Sequence, residues 1–301
     1  MLSEASVRII FAVVAIPVVL FIVINGGNDH VPIFTWLFRA FVIGVLAGGV
    51  IEFWRMTREK GTPIFLPAAL VGVALFGLRG LTAADIDAAG AFGLFQTVFF
   101  PGMFIALFLV ICAEVLRAQP EQAIARAGGT VLAIFYIGFL GSYLIIIPQQ
   151  LFSFSAGGMQ VSAKMGGSAL IMLFAAVWGS DTFAYGSGRL FGSRLLWPRL
   201  SPKKTVEGLA GSVFGGMVGM CIGRTLFEPA FPSLPAALCI GAVIGVLGQA
   251  GDLFESLLKR SCGVKDSSHL LPGHGGILDR IDALIFCAPI YYYLMKAVQW
   301  L

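Results

Sequence analysis

The chain has 301 residues, of which 58% are hydrophobic and only 12% charged, and its mean hydropathy is +0.90. Soluble proteins carry roughly 25% charged residues, so this composition excludes an ordinary soluble enzyme and points to an integral membrane protein. The formal net charge of +4 is small; where the charges fall tells more than their sum.

A bilayer-spanning helix needs about 20 mostly apolar residues. Nine segments meet that requirement, at 7–24, 33–54, 63–81, 91–116, 129–148, 168–190, 208–227, 236–258 and 282–301. The first follows a single Arg8 and lacks a small-residue cleavage site after it, so it reads as a first membrane helix rather than a signal peptide. The third is the weakest, because Pro63, Pro67 and several glycines interrupt it. The expected fold is therefore an all-α polytopic membrane protein with about nine transmembrane helices. No linker or repeat divides it. By content, residues 1–150 form a scaffold that faces lipid or another copy, and 151–301 form the region that carries chemistry.

The basic residues orient the bundle. Arg8 precedes segment one; Arg55, Arg58 and Lys60 follow segment two; Arg117 and Arg126 follow segment four. Arg189, Arg194, Arg199, Lys203 and Lys204 end or follow segment six, and Lys259, Arg260, Lys265 and Arg280 follow segment eight. These fifteen of the 20 basic residues fall on one face, while the opposite loops hold Asp29, Asp85, Asp87, Lys164 and Glu228. The positive-inside rule then puts the N-terminus in the cytoplasm and the C-terminus outside. Glycines at small-xxx-small spacing, such as Gly211–Gly215–Gly219 and Gly241–Gly245, read as helix-packing residues that would allow a dimer without requiring one.

Cys112, Cys221, Cys239, Cys262 and Cys287 show no CxxC spacing, and His30, His269 and His274 are too scattered for a zinc site. Phe99-Phe100 and Tyr291-Tyr292-Tyr293 read as lipid-facing or interfacial rather than as a base-stacking platform, so no nucleic-acid partner is expected. Glu52 and Glu114 each precede an arginine by three residues, Arg55 and Arg117, and read as helix-end ion pairs.

Three polar islands remain, all in the C-terminal half. In Trp178–Gly192, Asp181 lies inside or near the end of segment six and shares a helix face with Tyr185. An intramembrane carboxylate faces a cavity or a partner; Arg189 is the alternative partner in a structural ion pair. In Ser201–Gly208, Lys203 and Lys204 precede a helix start, which suits a phosphate site, although paired lysines at a membrane face also satisfy the charge rule alone. The third island runs from Gly251 to Asp282. On a helix Asp252, Glu255, Ser256 and Lys259 form one polar stripe, and Asp279 and Asp282 share a face of the next. Gly275-Gly276 between them lets a ligand approach the main chain. Carboxylates from two helices suit a divalent cation such as Mg²⁺, which takes few protein oxygens and fills its shell with water and phosphate.

The residues Ser256, Lys259-Arg260, Lys265-Asp266, His274-Gly275-Gly276, Asp279-Arg280 and Asp282 fill every fixed position of a 27-residue signature. In this the chain resembles the phosphatidate cytidylyltransferase family, also called CDP-diacylglycerol synthases. The SPKKTVEG run (Ser201, Lys203, Lys204 and Thr205 within it) and the Asp181 region are similar to family elements too; the resemblance covers roughly 175–290. It implies the reaction of CTP with phosphatidic acid to give CDP-diacylglycerol and pyrophosphate, at the cytoplasmic face of a bilayer, in a prokaryote the inner membrane. It also implies that Asp252 and Asp279 hold Mg²⁺, with room for a second cation. Lys259, Arg260, Lys265 and Arg280 would neutralise the pyrophosphate or the lipid headgroup, Lys203 and Lys204 the triphosphate. His274 either donates a hydrogen bond or holds the Gly-Gly turn, and Asp181 and Asp266 contact metal or cytosine. A cytidylyltransferase for a different lipid phosphate, a CTP-dependent lipid kinase and an ion-coupled transporter are the competing readings. The last predicts inverted repeats, which the sequence does not show.

Overall fold

The computed structural model describes residues 21–24, 32–78, 100–151, 164–226, 231–268, 270 and 275–299. Its helices are α1 (Pro32–Glu59), α2 (Leu66–Leu78), α3 (Phe100–Arg117), α4 (Ala123–Ala133), α5 (Gly141–Gln150), α6 (Lys164–Phe191), α7 (Val206–Arg224), α8 (Leu234–Ser261) and α9 (Leu278–Gln299). A π-helical stretch, Ile134–Leu140, joins α4 to α5, so that Pro120–Gln149 runs as one long span. Among the described residues seven helices are long and apolar enough to cross a membrane.

Those seven coincide with seven of the nine expected segments. Of the first, only 21–24 is described, and those residues are helical. The third is the 13-residue α2. At about 1.5 Å per residue it falls well short of a hydrocarbon core about 30 Å thick. Pro67 sits in its first turn, where the missing amide N–H costs no hydrogen bond.

One departure from an all-helical chain occurs where the sequence leads to a helix start. Leu195–Trp197 (β1) and Ser201–Thr205 (β2) pair antiparallel, with Leu195 opposite Thr205 and Trp197 opposite Ser201. Pro202 is tolerated because it lies in a two-stranded ribbon with a free edge. Thr205 then caps α7, its Oγ1 accepting from the Gly208 amide at 3.0 Å.

The C-terminal helices touch through backbone. A Cβ on Gly215 would lie 2.3 Å from the Gly179 carbonyl oxygen, and one on Gly216 or Gly219 would lie 2.2 Å from the oxygen of Gly241 or Ala175. The small-residue spacing of α7 and α8 is thus taken up inside the chain, sealing α6, α7 and α8 into one unit. Ser212 on α7 donates to the Gly245 carbonyl at 2.6 Å and meets Ser180 at 2.6 Å, so the buried hydroxyls of the seam are bonded. The opposite end of the bundle is closed by Tyr291, fully buried, donating to the Ala169 carbonyl at 2.8 Å. α3 presents Phe104, Phe108, Val115 and Leu116 outward, as a lipid-facing helix should.

Candidate active site

The C-terminal turns of α1, α6 and α8, the hairpin, and the N-terminal turn of α9 meet at one end of the bundle. On α8 the polar stripe is real. Lys259 Nζ lies 2.6 Å from Glu255 Oε2 one turn earlier and 2.6 Å from Asp279 Oδ1 on α9. It thereby ties the two helices that carry the third island.

Asp252, Glu255 and Asp282 each offer one carboxylate oxygen to a cluster whose ligand atoms all lie within 4.8 Å of one another. Glu255 and Asp282 are buried and Asp252 is half-buried. Three carboxylates this close repel strongly in a low-dielectric setting. Lys259 offsets part of that charge from one side, and Lys204 Nζ does so from the other, 2.7 Å from Asp252 Oδ2. Lys204 also donates to the Gln249 carbonyl at 3.3 Å. Glu255 Oε1 is buried with no hydrogen-bond partner among the described residues. A buried acceptor left open calls for something to fill it. An all-oxygen set with an open acceptor fits a hard divalent cation such as Mg²⁺.

Asp279 borders this cluster, its carboxyl within hydrogen-bonding reach of Glu255 and sharing Lys259 with it. Its Oδ1 takes Lys259, while Oδ2 accepts from Gly276 N at 2.8 Å, Ser267 Oγ at 2.9 Å and Ser267 N at 3.2 Å. From the first turn of α9 it reaches back to the Gly276 amide just before the helix, much as the acid of a capping box does. Gly275 has φ +77, a left-handed conformation, and a Cβ there would sit 2.9 Å from Asp279 Oδ2.

The other predicted residues are distributed around this core. Asp181 is exposed on α6 within electrostatic reach of Asp252, Lys204 and Arg280. Arg189 donates to the Tyr185 hydroxyl at 3.0 Å. Arg260 Nη1 donates to the Val264 carbonyl, and Lys203, Lys265, Asp266 and Arg280 are exposed. Ser201 pairs in the hairpin and Thr205 serves as the α7 cap, while Ser256 is half-buried on α8. His274 lies outside the described residues.

Two residues escaped the sequence reading. The Glu114–Arg117 pair forms at 2.9 Å as expected, but Glu52 turns into the loop before α9, accepting from Ser267 Oγ, Ser268 Oγ, Ile277 N and Leu278 N. No local spacing signals a contact between residues so far apart in the chain. Tyr136, in the π-helical stretch, packs against Phe254 at 4.9 Å and lies within electrostatic reach of Asp282, Glu255 and Asp252. Its hydroxyl is buried and has no hydrogen-bond partner among the described residues. π-helical turns often mark functional sites, but an isolated Tyr in an apolar run carries no such sign.

Known proteins resemble this chain in sequence over both its N-terminal and C-terminal halves. The family model described as "Cytidylyltransferase family" matches residues 6–298, well beyond the signature region at 175–290. A phosphatidate cytidylyltransferase of Synechocystis sp. is 33% identical over 305 aligned residues, covering 96% of this chain and 95% of that protein. The Bacillus subtilis phosphatidate cytidylyltransferase is 32% identical over 290 residues, covering 96% of each chain. That of Staphylococcus saprophyticus is 43% identical over 191 residues, covering 64% of this chain and 67% of its own. With its membrane-length helices, its polar signature and a match spanning nearly every residue, the chain belongs to the cytidylyltransferase family and is a nucleotidyltransferase of the membrane.

Proposed function

We propose that this protein transfers the cytidylyl group of CTP to phosphatidic acid, releasing pyrophosphate and forming CDP-diacylglycerol. The observation that carries this reading is the oxygen-only cluster of Asp252, Glu255 and Asp282, flanked by Lys204 and Lys259 at the end of a membrane bundle. The names of the relatives support the same substrate pair.

In the reaction, a phosphate oxygen of the lipid forms a bond to the α-phosphorus while the bond from that phosphorus to the α,β-bridging oxygen breaks. Pyrophosphate leaves with the electron pair. The nucleophile is already ionised, so the protein has little covalent work and acts through position and charge. Asp252, Asp282 and Glu255 would hold Mg²⁺, which when bound neutralises triphosphate charge. Asp279, which the resemblance pairs with Asp252, would offer Oδ1 to the cation in exchange for Lys259, while Oδ2 keeps Ser267 and the turn at Gly275-Gly276. Lys204 and Lys203 would receive the triphosphate, and Arg280, Arg260 and Lys265 the leaving group or the lipid phosphate. Asp181, on α6 within electrostatic reach of Asp252 and Lys204, is suited to the cytosine amino group.

The site would face the cytoplasm of a bacterial inner membrane, since CTP is cytosolic and a two-chain lipid does not leave the bilayer cheaply. Most of the N-terminal half would serve as scaffold. The test uses purified protein in detergent with phosphatidic acid, Mg²⁺ and CTP labelled separately at the α- and γ-phosphates. Label in the lipid from the α-position, with pyrophosphate released, supports the reading. Transfer of the γ-label would make the protein a lipid kinase and overturn it.

A further inference from the structure

Glu52 belongs to α1, in the half of the chain that carries none of the motifs, yet it is among the most deeply buried carboxylates described, only 1% exposed. Its four donors all come from one short stretch. Oε1 receives Ser268 Oγ at 2.5 Å and Ile277 N at 2.9 Å; Oε2 receives Leu278 N at 2.8 Å and Ser267 Oγ at 3.0 Å. Ile277 and Leu278 open α9, so the α1 carboxylate satisfies amides that no residue within α9 can. It also complements the positive end of the α9 dipole.

The approach is built for this contact. Gly48 lies one turn before Glu52, and a Cβ there would come within 2.6 Å of Ile277 Cδ1. A Cβ on Gly276 would lie 1.9 Å from Ser267 Oγ and 2.6 Å from Glu52 Oε2. Ser267 Oγ, with one proton, stands between Glu52 and Asp279, at 3.0 and 2.9 Å. Through that hydroxyl and the α9 amides, Glu52 sets the position of Asp279, hence of Lys259, and the start of the helix that carries Asp282.

We infer that Glu52 is a positioning residue for the transfer reaction, a buried carboxylate from the N-terminal half that holds Ser267, Ser268 and the start of α9 in their working geometry. This rests on the function proposed above. A residue of this kind changes turnover more than nucleotide binding, because the loop must be correct in the transition state for charge to be met.

The experiment compares wild type with Glu52→Gln in detergent, measuring cytidylyl transfer, the KM for CTP and hydrogen–deuterium exchange by mass spectrometry. The amide side chain turns an NH₂ group toward one backbone N–H, which loses its acceptor, while the serine hydroxyl on that side must reverse to accept. The expected result is a kcat lower by about 100-fold with KM changed less than about threefold. With it, exchange should accelerate in the peptide over 266–280 while the hairpin at 194–205 keeps its wild-type rate. Unchanged kcat, or exchange accelerated in every helix alike, would overturn the inference, the latter because it reports general loosening. Should the variant not survive purification, Ser268→Ala removes one donor and keeps the carboxylate; it should lower kcat about tenfold with the same local exchange, and wild-type kinetics there would be equally fatal. A wild-type protein that makes no CDP-diacylglycerol would sink the proposed function, whereas the exchange pattern still decides whether Glu52 holds the loop.

Discussion

Lys204 Nζ lies 2.7 Å from Asp252 Oδ2, which ties the hairpin before α7 to the carboxylate cluster on α8. The pair is partly solvent-exposed, with the Lys204 side chain 15% and the Asp252 side chain 39% accessible. An ion pair so open contributes little to stability. Its value lies in holding a cation beside the carboxylates where a triphosphate would arrive. Lys204→Ala should therefore lower kcat/KM for CTP by about 100-fold while leaving the melting temperature within a few degrees. Lys204→Arg should recover part of the loss. A drop confined to stability would remove Lys204 from the site.

Asp282 and Asp279 are close in sequence and make different contacts. Asp282 joins Asp252 and Glu255, while Asp279 is occupied by Lys259, Ser267 and Gly276. Asp282→Asn should raise the Mg²⁺ concentration needed for half-maximal activity by at least about tenfold, since one charged oxygen ligand is lost. Asp279→Asn should cut kcat by orders of magnitude with a smaller change in that requirement. Titrating Mg²⁺ against both variants checks this. The reverse pattern would restore Asp279 as the principal ligand.

The contrast between those two aspartates shows what the sequence could and could not convey. Helical spacing correctly put Asp252, Glu255 and Lys259 on one stripe and gave α8 and α9 as the partners. Three residues advance a helix by about 300°, so Asp279 and Asp282 share a face only loosely, and spacing does not say which one meets α8's carboxylates. Seven apolar segments were legible for the same reason that they cross a membrane: length and continuous hydropathy. Glu52 was not, because its partners are set by how α1 packs against α9 and not by its neighbours in sequence. The ribbon at 195–205 was hidden too, since a strand containing Pro202 and two lysines lacks the alternation that marks a buried strand.

Gly276 tests the loop without removing a charge. Its added Cβ would meet Ser267 Oγ at 1.9 Å and Glu52 Oε2 at 2.6 Å. The serine hydroxyl can rotate away, but the Glu52 carboxylate is pinned by two amides. Gly276→Ala should leave the bundle folded and reduce kcat by about 10- to 100-fold. Wild-type kinetics in this variant would mean that the turn absorbs the methyl without moving Ser267 or Glu52.

Glycines in the bundle should respond with opposite signs according to what faces them. Gly44 on α1 has nothing within 4 Å of the position a Cβ would take. Alanine there loses less backbone freedom on folding than glycine does, so Gly44→Ala should stabilise by about 0.5–1 kcal/mol. Gly216 on α7 faces the Gly241 carbonyl oxygen at 2.2 Å and the Gly245 nitrogen at 3.1 Å, both backbone atoms that no rotamer change can move. Gly216→Ala must push α8 away, opening the seam where Ser212 bonds the Gly245 carbonyl, at a cost of about 1–3 kcal/mol. Thermal unfolding of the two variants in the same detergent should therefore move in opposite directions. Because α8 carries Asp252 and Glu255, only Gly216→Ala should also weaken activity. Equal shifts in both would mean that the helix seam is looser than the close approach of its backbones indicates.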